Sequence, residues 1–191
     1  MSFVKLTQKS LTHFKMSKLN ELILTFFYFG KFPKIPGTAG SAVTTFFWFA
    51  LTSIFCGLEM PLSNQNILWV VFLVTAFIYG AVFISFYQKQ FGLKEIDHKT
   101  IVLDEVIGQI IPLQAGFILM QEYYFNDVGL IAIHLIFSFL AFRFFDIVKP
   151  SIIGRADRMK SGLGVMLDDL LAGIAAALVI LILLKLTLLI R

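Results

Sequence analysis

Charge is what this 191-residue chain has least of. Asp, Glu, Lys and Arg together make up 15% of it, against 58% apolar residues and a mean hydropathy of +0.85. Soluble domains carry about 25% charge and about 45–50% apolar residues. A chain this poor in charge cannot cover itself with a water-wettable surface, which excludes a soluble globular enzyme and a disordered tail. Cysteine is nearly absent too. Cys56 stands alone inside an apolar run, so no intrachain disulfide forms and a disulfide-stapled secreted domain is excluded. The first twenty residues have no uninterrupted apolar core and no small-residue cleavage site of the signal-peptide kind, because Lys5, Lys9, Lys15 and Lys18 break them up. The N-terminus is expected to be retained. Internal repeats, low-complexity segments and period-2 alternation are also missing, and the last absence argues for helices over barrel strands.

Long apolar runs and 22 phenylalanines are what the chain does have. One span needs about 20 residues to cross roughly 30 Å of hydrocarbon. Five runs meet that need: Ser41–Leu58, Ile67–Phe86, Ile101–Met120, Val128–Phe145 and Leu163–Ile190. The stretch Leu19–Phe29 is too short to span and is expected to lie at the interface or to re-enter the bilayer edge. The expected fold is an all-α integral membrane protein: one compact five-span bundle over 19–191, after a tail at 1–18.

Lysine and arginine orient it. Lys5, Lys9, Lys15, Lys18, Lys31 and Lys34 precede the first span. Lys89, Lys94 and Lys99 follow the second, and Arg143, Lys149, Arg155, Arg158 and Lys160 follow or end the fourth. The loops Glu59–Asn66 and Gln121–Asp127 contain neither residue. Five spans place all three basic segments on one face, which the positive-inside rule makes cytoplasmic.

Against this background the carboxylates stand out. Glu59, Glu122 and Asp127 belong to the outer loops and read as solvated charges. Asp104 and Glu105 interrupt IVLDEVIG, with Gln109 the next polar side chain beyond them; Asp168 and Asp169 interrupt GVMLDDLLAGIAAAL, and Asp146 sits between FRFF and IV. A carboxylate near mid-bilayer costs about 2.5–3.5 kcal/mol on the insertion scale, so such residues are functional candidates. Helix capping is the competing explanation. It accounts for one acid per helix start, not for two adjacent pairs and a fifth residue on one face. Neighbouring helical side chains point about 100° apart, so each pair can offer one ligand to the bundle interior and a second to an adjacent ion or to a group behind the ligands. Oxygen ligands with no clustered Cys or His favour Mg²⁺, with Mn²⁺ as the second choice, over zinc. His98, six residues before Asp104, is either a proton carrier or an ordinary loop histidine. His134, mid-span, is expected to hydrogen-bond a neighbouring helix.

Two segments on the same face suit an anion. Gly30–Ser41 (GKFPKIPGTAGS) combines Lys34, two prolines, Gly37 and Gly40 for close backbone approach, and the hydroxyls of Thr38 and Ser41, ahead of free helix N–H groups. No Walker A spacing is present. Arg143–Gly164 holds Arg143, Lys149 and Arg155, and there Arg143 and Lys149 flank Asp146. Carboxylates for a divalent ion beside cations for a phosphate suit metal-assisted phosphoryl transfer on a lipid.

GKFPKIPGTAGS, DHKTIVLDEVIG and FRFFDIVKP…GLGVMLDDLLAGIAAAL resemble, in order and spacing, the signature segments of the phosphatidylglycerophosphatase A family, from about Gly30 to Leu178. The resemblance implies a Mg²⁺-dependent phosphatase of the bacterial inner membrane that faces the cytoplasm. It would hydrolyse the phosphomonoester of phosphatidylglycerophosphate to phosphatidylglycerol and phosphate. Asp104, Glu105, Asp168 and Asp169 are its implied metal ligands; Asp146 and Lys149 fall in its FD-x-x-KP segment and His98 in its DH-x-x-IV segment. Family members often have a proline-rich stretch after KP and Gly-Gly before Gly-Val-Met, where this chain reads SIIGRAD and SGLG. The expected partner is a membrane phospholipid and no nucleic acid. The rival from another class is a cation- or proton-coupled transporter, which calls for polar residues along a path to the outer face. Apart from His134, Lys185, Gln114 and a few hydroxyls, the outer halves of the spans are apolar.

Overall fold

A computed structural model describes residues 17–91, 100–121, 126–159 and 161–190. The described residues form seven α-helices and one 3-10 turn, Phe29–Lys31. The helices are α1 (Lys18–Leu24), α2 (Pro36–Gly57), α3 (Leu62–Phe91), α4 (Leu103–Met120), α5 (Val128–Val148), α6 (Ile152–Asp157) and α7 (Gly162–Ile190). Five of them, α2, α3, α4, α5 and α7, are long and apolar enough to cross a membrane. They are the five runs read from the sequence. The first starts earlier than expected, because Pro36 occupies the first helical turn, where its missing N–H costs nothing. GTAGS is therefore helix, not the loop before it.

Leu19–Phe29 neither spans nor lies loose. Ser17 caps α1 by accepting the Asn20 N–H at 3.3 Å. After α1, three successive residues, Phe26, Phe27 and Tyr28, take positive φ and reverse the chain. The reversal lets Leu24 O accept the Val102 N–H at 3.0 Å and turns Phe26 edge-on against Phe47 of α2. Asn20 ties α1 to α3, donating to Tyr87 Oη and accepting from Tyr79 Oη, both at 2.9 Å. This short element braces the start of α4 from outside.

Helix α4 is the axle of the bundle: 67% of its span is buried, against 22–33% for the others. Two glycines permit this. A Cβ at Gly116 would overlap the His134 ring of α5. At Gly173 of α7 a Cβ would overlap Gly108 O, and its distance to Gly108 Cα would be 2.9 Å, so α4 and α7 touch backbone to backbone. Lipid tails give helices no hydrophobic reason to associate, so close packing of small residues carries the contact; Ala172, Ala176 and Ala177 continue the stripe on α7. A polar chain pins the other side, with Trp48 Nε1 donating to Gln114 Oε1 at 2.9 Å and Gln114 Nε2 to Asn66 Oδ1 at 2.8 Å. His134 is fully buried, stacked edge-on to Trp48 and reaching the α4 backbone at Pro112 and Leu113, a structural helix-to-helix role.

Candidate active site

The up-and-down order of the spans brings the starts of α2, α4 and α7 and the end of α5 to one end of the bundle. There the chain places Asp104, Glu105 and Asp169 so that one oxygen from each lies within 4.8 Å of the others. Capping does not explain them. The residue that caps α4 is Val102, which makes no side-chain bond. Asp168 and Asp169 lie two turns inside α7, whose first turn is closed by Ser161 Oγ accepting the Gly164 N–H at 3.1 Å. Asp146 lies near the C-terminus of α5, where the helix dipole disfavours an acid.

The adjacent acids separate as their angular offset requires. Asp169 turns into the trio. Asp168 is 5% exposed and turns to Lys149, its Oδ2 2.6 Å from Nζ, while its Oδ1 is buried without a partner. Lys149 also holds Asp157 at 2.5 Å. Burial works against the Lys149 ammonium, yet its hydrogen bonds to Asp157 and Asp168 outweigh burial and keep its pKa above the ordinary lysine value. Lys149 itself takes a left-handed conformation (φ 46°) as the C-cap of α5, its N–H bonded to Phe145 O. That turn points the side chain back toward α7. Arg143 and Asp146 pair at 2.6 Å, one turn apart on α5 and both mostly buried. Asp146 also faces Asp169 and Glu105.

Helix α2 closes the site from the fourth side. A Cβ at Gly37 would overlap Glu105 Oε1 and stand 3.2 Å from an Arg143 guanidinium nitrogen, so only glycine admits both groups there. The first bond within this turn runs from the Ala39 N–H to Ile35 O, which leaves the Gly37 and Thr38 N–H groups ahead of the ladder, an anion-accepting helix start. Arg143 Nε is buried and unpartnered. Ser41 is fully buried and donates to Gly37 O at 3.0 Å, and Gly40 packs against Val102. These two shape the turn; Thr38, half-buried, is the hydroxyl at its mouth.

Of the residues singled out from sequence, the structure brings together Asp104, Glu105, Asp146, Asp168, Asp169, Arg143 and Lys149, with Thr38 at the neighbouring helix start. Lys34 and Arg155 are exposed and form no ion pair among the described residues. His98 lies outside the described residues. Sequence reasoning missed Asp157, whose place beside Lys149 follows from the turn between α5 and α6. It also gave Gly37 only a general role, although its position four residues before Ser41 in the first turn of α2 was a signal.

The family model that describes phosphatidylglycerophosphatase A matches residues 22–184, nearly the whole bundle. The chain belongs to the phosphatidylglycerophosphatase A family. Its relatives agree. A Haemophilus influenzae protein named phosphatidylglycerophosphatase A is 31% identical over 169 residues, covering 87% of this chain and 90% of the relative. An Escherichia coli protein of the same name is 30% identical over 164 residues, 85% and 82%. A Bacteroides thetaiotaomicron protein named "Putative phosphatidylinositol-3-phosphatase" is 33% identical over 159 residues, 83% and 89%. No solved structure matches. Phosphatidylglycerophosphatase A enzymes are phosphoric monoester hydrolases, and this chain is a multi-pass membrane member of that class.

The acidic trio suits a metal ion on its own chemistry. Three carboxylate oxygens this close repel unless a cation or protons lie between them, and Glu105 Oε2 is buried with no partner. An all-oxygen donor set is the one hard divalent ions take.

Proposed function

We propose that the chain hydrolyses the terminal phosphomonoester of phosphatidylglycerophosphate, with Mg²⁺ held by Asp104, Glu105 and Asp169, at the cytoplasmic leaflet of the bacterial inner membrane. The observation that carries this reading is the meeting of the acidic trio with Gly37 and Arg143, a cation site directly beside an anion site. Bound there, the ion supplies charge neutralisation at the phosphoryl oxygens and a more acidic water. The protein supplies the rest. The Gly37 and Thr38 N–H groups and the Arg143 guanidinium hold the phosphate, and Asp146 holds Arg143 in place. Lys149 compensates Asp168 and leaves Asp168 Oδ1 free to accept a hydrogen bond from substrate or water. Because these groups sit at the ends of spans, a lipid can present its headgroup while its tails stay in the bilayer.

Two measurements check this. Purified protein is expected to release phosphate from phosphatidylglycerophosphate, more slowly from phosphatidylinositol-3-phosphate and phosphatidic acid, to stop with a chelator and to resume with Mg²⁺. A chelator-insensitive rate would remove the metal from the reading. For orientation, Arg155→Cys in a Cys56→Ala background is expected to resist a membrane-impermeant maleimide on intact cells and to react once the inner membrane is opened. Labelling of intact cells would invert the topology.

A further inference from the structure

One turn past Glu105, α4 carries Gln109. Its side chain is fully buried, and neither its amide nitrogen nor its amide oxygen has a hydrogen-bond partner. Within a membrane no water stands by to satisfy such a group, and an unbonded buried carboxamide calls for an explanation of its own.

Helix geometry says where this amide acts. Residues four apart share a face, with Cβ atoms about 5–6 Å apart, and helical side chains lean toward the N-terminus. Gln109 therefore leans back toward Glu105 and not deeper into the bundle. Glu105 presents two different oxygens. Oε1 lies against Gly37, while Oε2 is buried and unpartnered. Among the described residues α4 thus holds an unused donor and an unused acceptor one turn apart on one face.

We propose that Gln109 is a positioning residue for Glu105: its amide N–H donates to Glu105 Oε2 when the carboxylates gather around a divalent cation, and so fixes the orientation in which Glu105 offers its other oxygen. This rests on the reading of Asp104, Glu105 and Asp169 as a cation site. Partners that orient a metal-binding carboxylate from behind matter nearly as much as the ligand, and their loss weakens metal binding by about ten- to a hundred-fold.

The test is Mn²⁺ binding to the purified full-length protein in detergent, followed by electron paramagnetic resonance with no substrate present. Gln109→Met preserves the volume and deletes both amide ends. It is expected to weaken Mn²⁺ binding about ten- to a hundred-fold. The metal-free thermal midpoint should hold or rise, because an unbonded buried amide has been replaced by an apolar group. In turnover the Mg²⁺ needed for half-maximal rate should rise, with KM for the lipid unchanged at saturating Mg²⁺. Should Gln109→Met not reach the membrane, Gln109→Leu carries the same expectation for Mn²⁺, since it too removes both amide ends and adds no titratable group. Wild-type Mn²⁺ affinity in the variant that folds, or a loss of affinity matched by a fall in the metal-free midpoint, overturns the positioning role. A wild-type protein that binds no Mn²⁺ is a separate failure, one that removes the cation site and this inference with it.

Discussion

Asp169→Asn is expected to lower phosphate release by at least about a thousand-fold while the protein still inserts, purifies and melts cooperatively. The size follows from what the ion contributes. Charge stabilisation by a metal at a phosphoryl group is worth several kcal/mol, and each ~1.4 kcal/mol is a factor of ten in rate. The folding side of the prediction is less intuitive. Asp169 is 3% exposed and shares a space less than 5 Å across with Asp104 and Glu105. Without a cation these acids destabilise one another, so neutralising one relieves the bundle. The metal-free thermal midpoint of the variant should therefore equal or exceed that of the wild type. Added Mg²⁺ should raise the wild-type midpoint, since it binds the folded state alone, and leave the variant unmoved. Appreciable turnover in the variant, or an equal Mg²⁺ response in both proteins, would contradict the assignment of Asp169 as a ligand.

Lys149→Met carries the second large effect, on stability and activity together. Lys149 is the cation paired with Asp168, whose side chain is 7% exposed against 30% for the lysine. Removing one member of a fully buried pair costs about 3–5 kcal/mol, because the other charge is stranded. The partial exposure of Lys149 brings the expected loss nearer to about 2 kcal/mol, together with a fall in turnover of about a hundred-fold or more, because Asp168 loses the cation that holds it beside the site. The double variant Lys149→Met, Asp168→Asn separates the two roles. Its thermal midpoint should recover most of the loss, since the buried Asp168 charge is gone and the Asp157 that Lys149 releases is half exposed, while its turnover stays low. A double variant that melts as early as Lys149→Met would mean that the ion pair is not what Lys149 contributes to the fold.

How far the sequence could be read depended on the range of the interaction. Span positions were legible because hydrocarbon imposes a length and a composition on each one. The start of α2 was legible in principle from Pro36, a helix-initiating residue, but apolarity alone set the expected edge at Ser41. The DD pair behaved as the 100° offset between neighbours implied, one acid inward and one toward Lys149. The DE pair took the other course that the offset allowed, both of its acids reaching the trio, with Gly37 of α2 opposite Glu105. The reversal at Phe26, Phe27 and Tyr28 was invisible. These residues do not favour positive φ; the packing of Phe26 on Phe47, the Phe27 N–H on Leu22 O, the Tyr28 N–H on Thr25 Oγ1 and the bond from Val102 to Leu24 hold them there. The Asp157–Lys149 contact was hidden for a similar reason, since it depends on the left-handed turn that Lys149 itself makes.

The abutment of Gly108 on Gly173 has a mechanical consequence. Two of the acids ride on α4 and the third on α7, so their spacing is inherited from main chains in direct contact, with no layer of deformable side chains between them. The gauge of the site is then set by covalent dimensions. Drift in the lipid-facing residues of α3 or α5 can alter how the bundle sits in its bilayer without changing the gap into which an ion must fit. Widening that gap takes a single added methyl at either glycine.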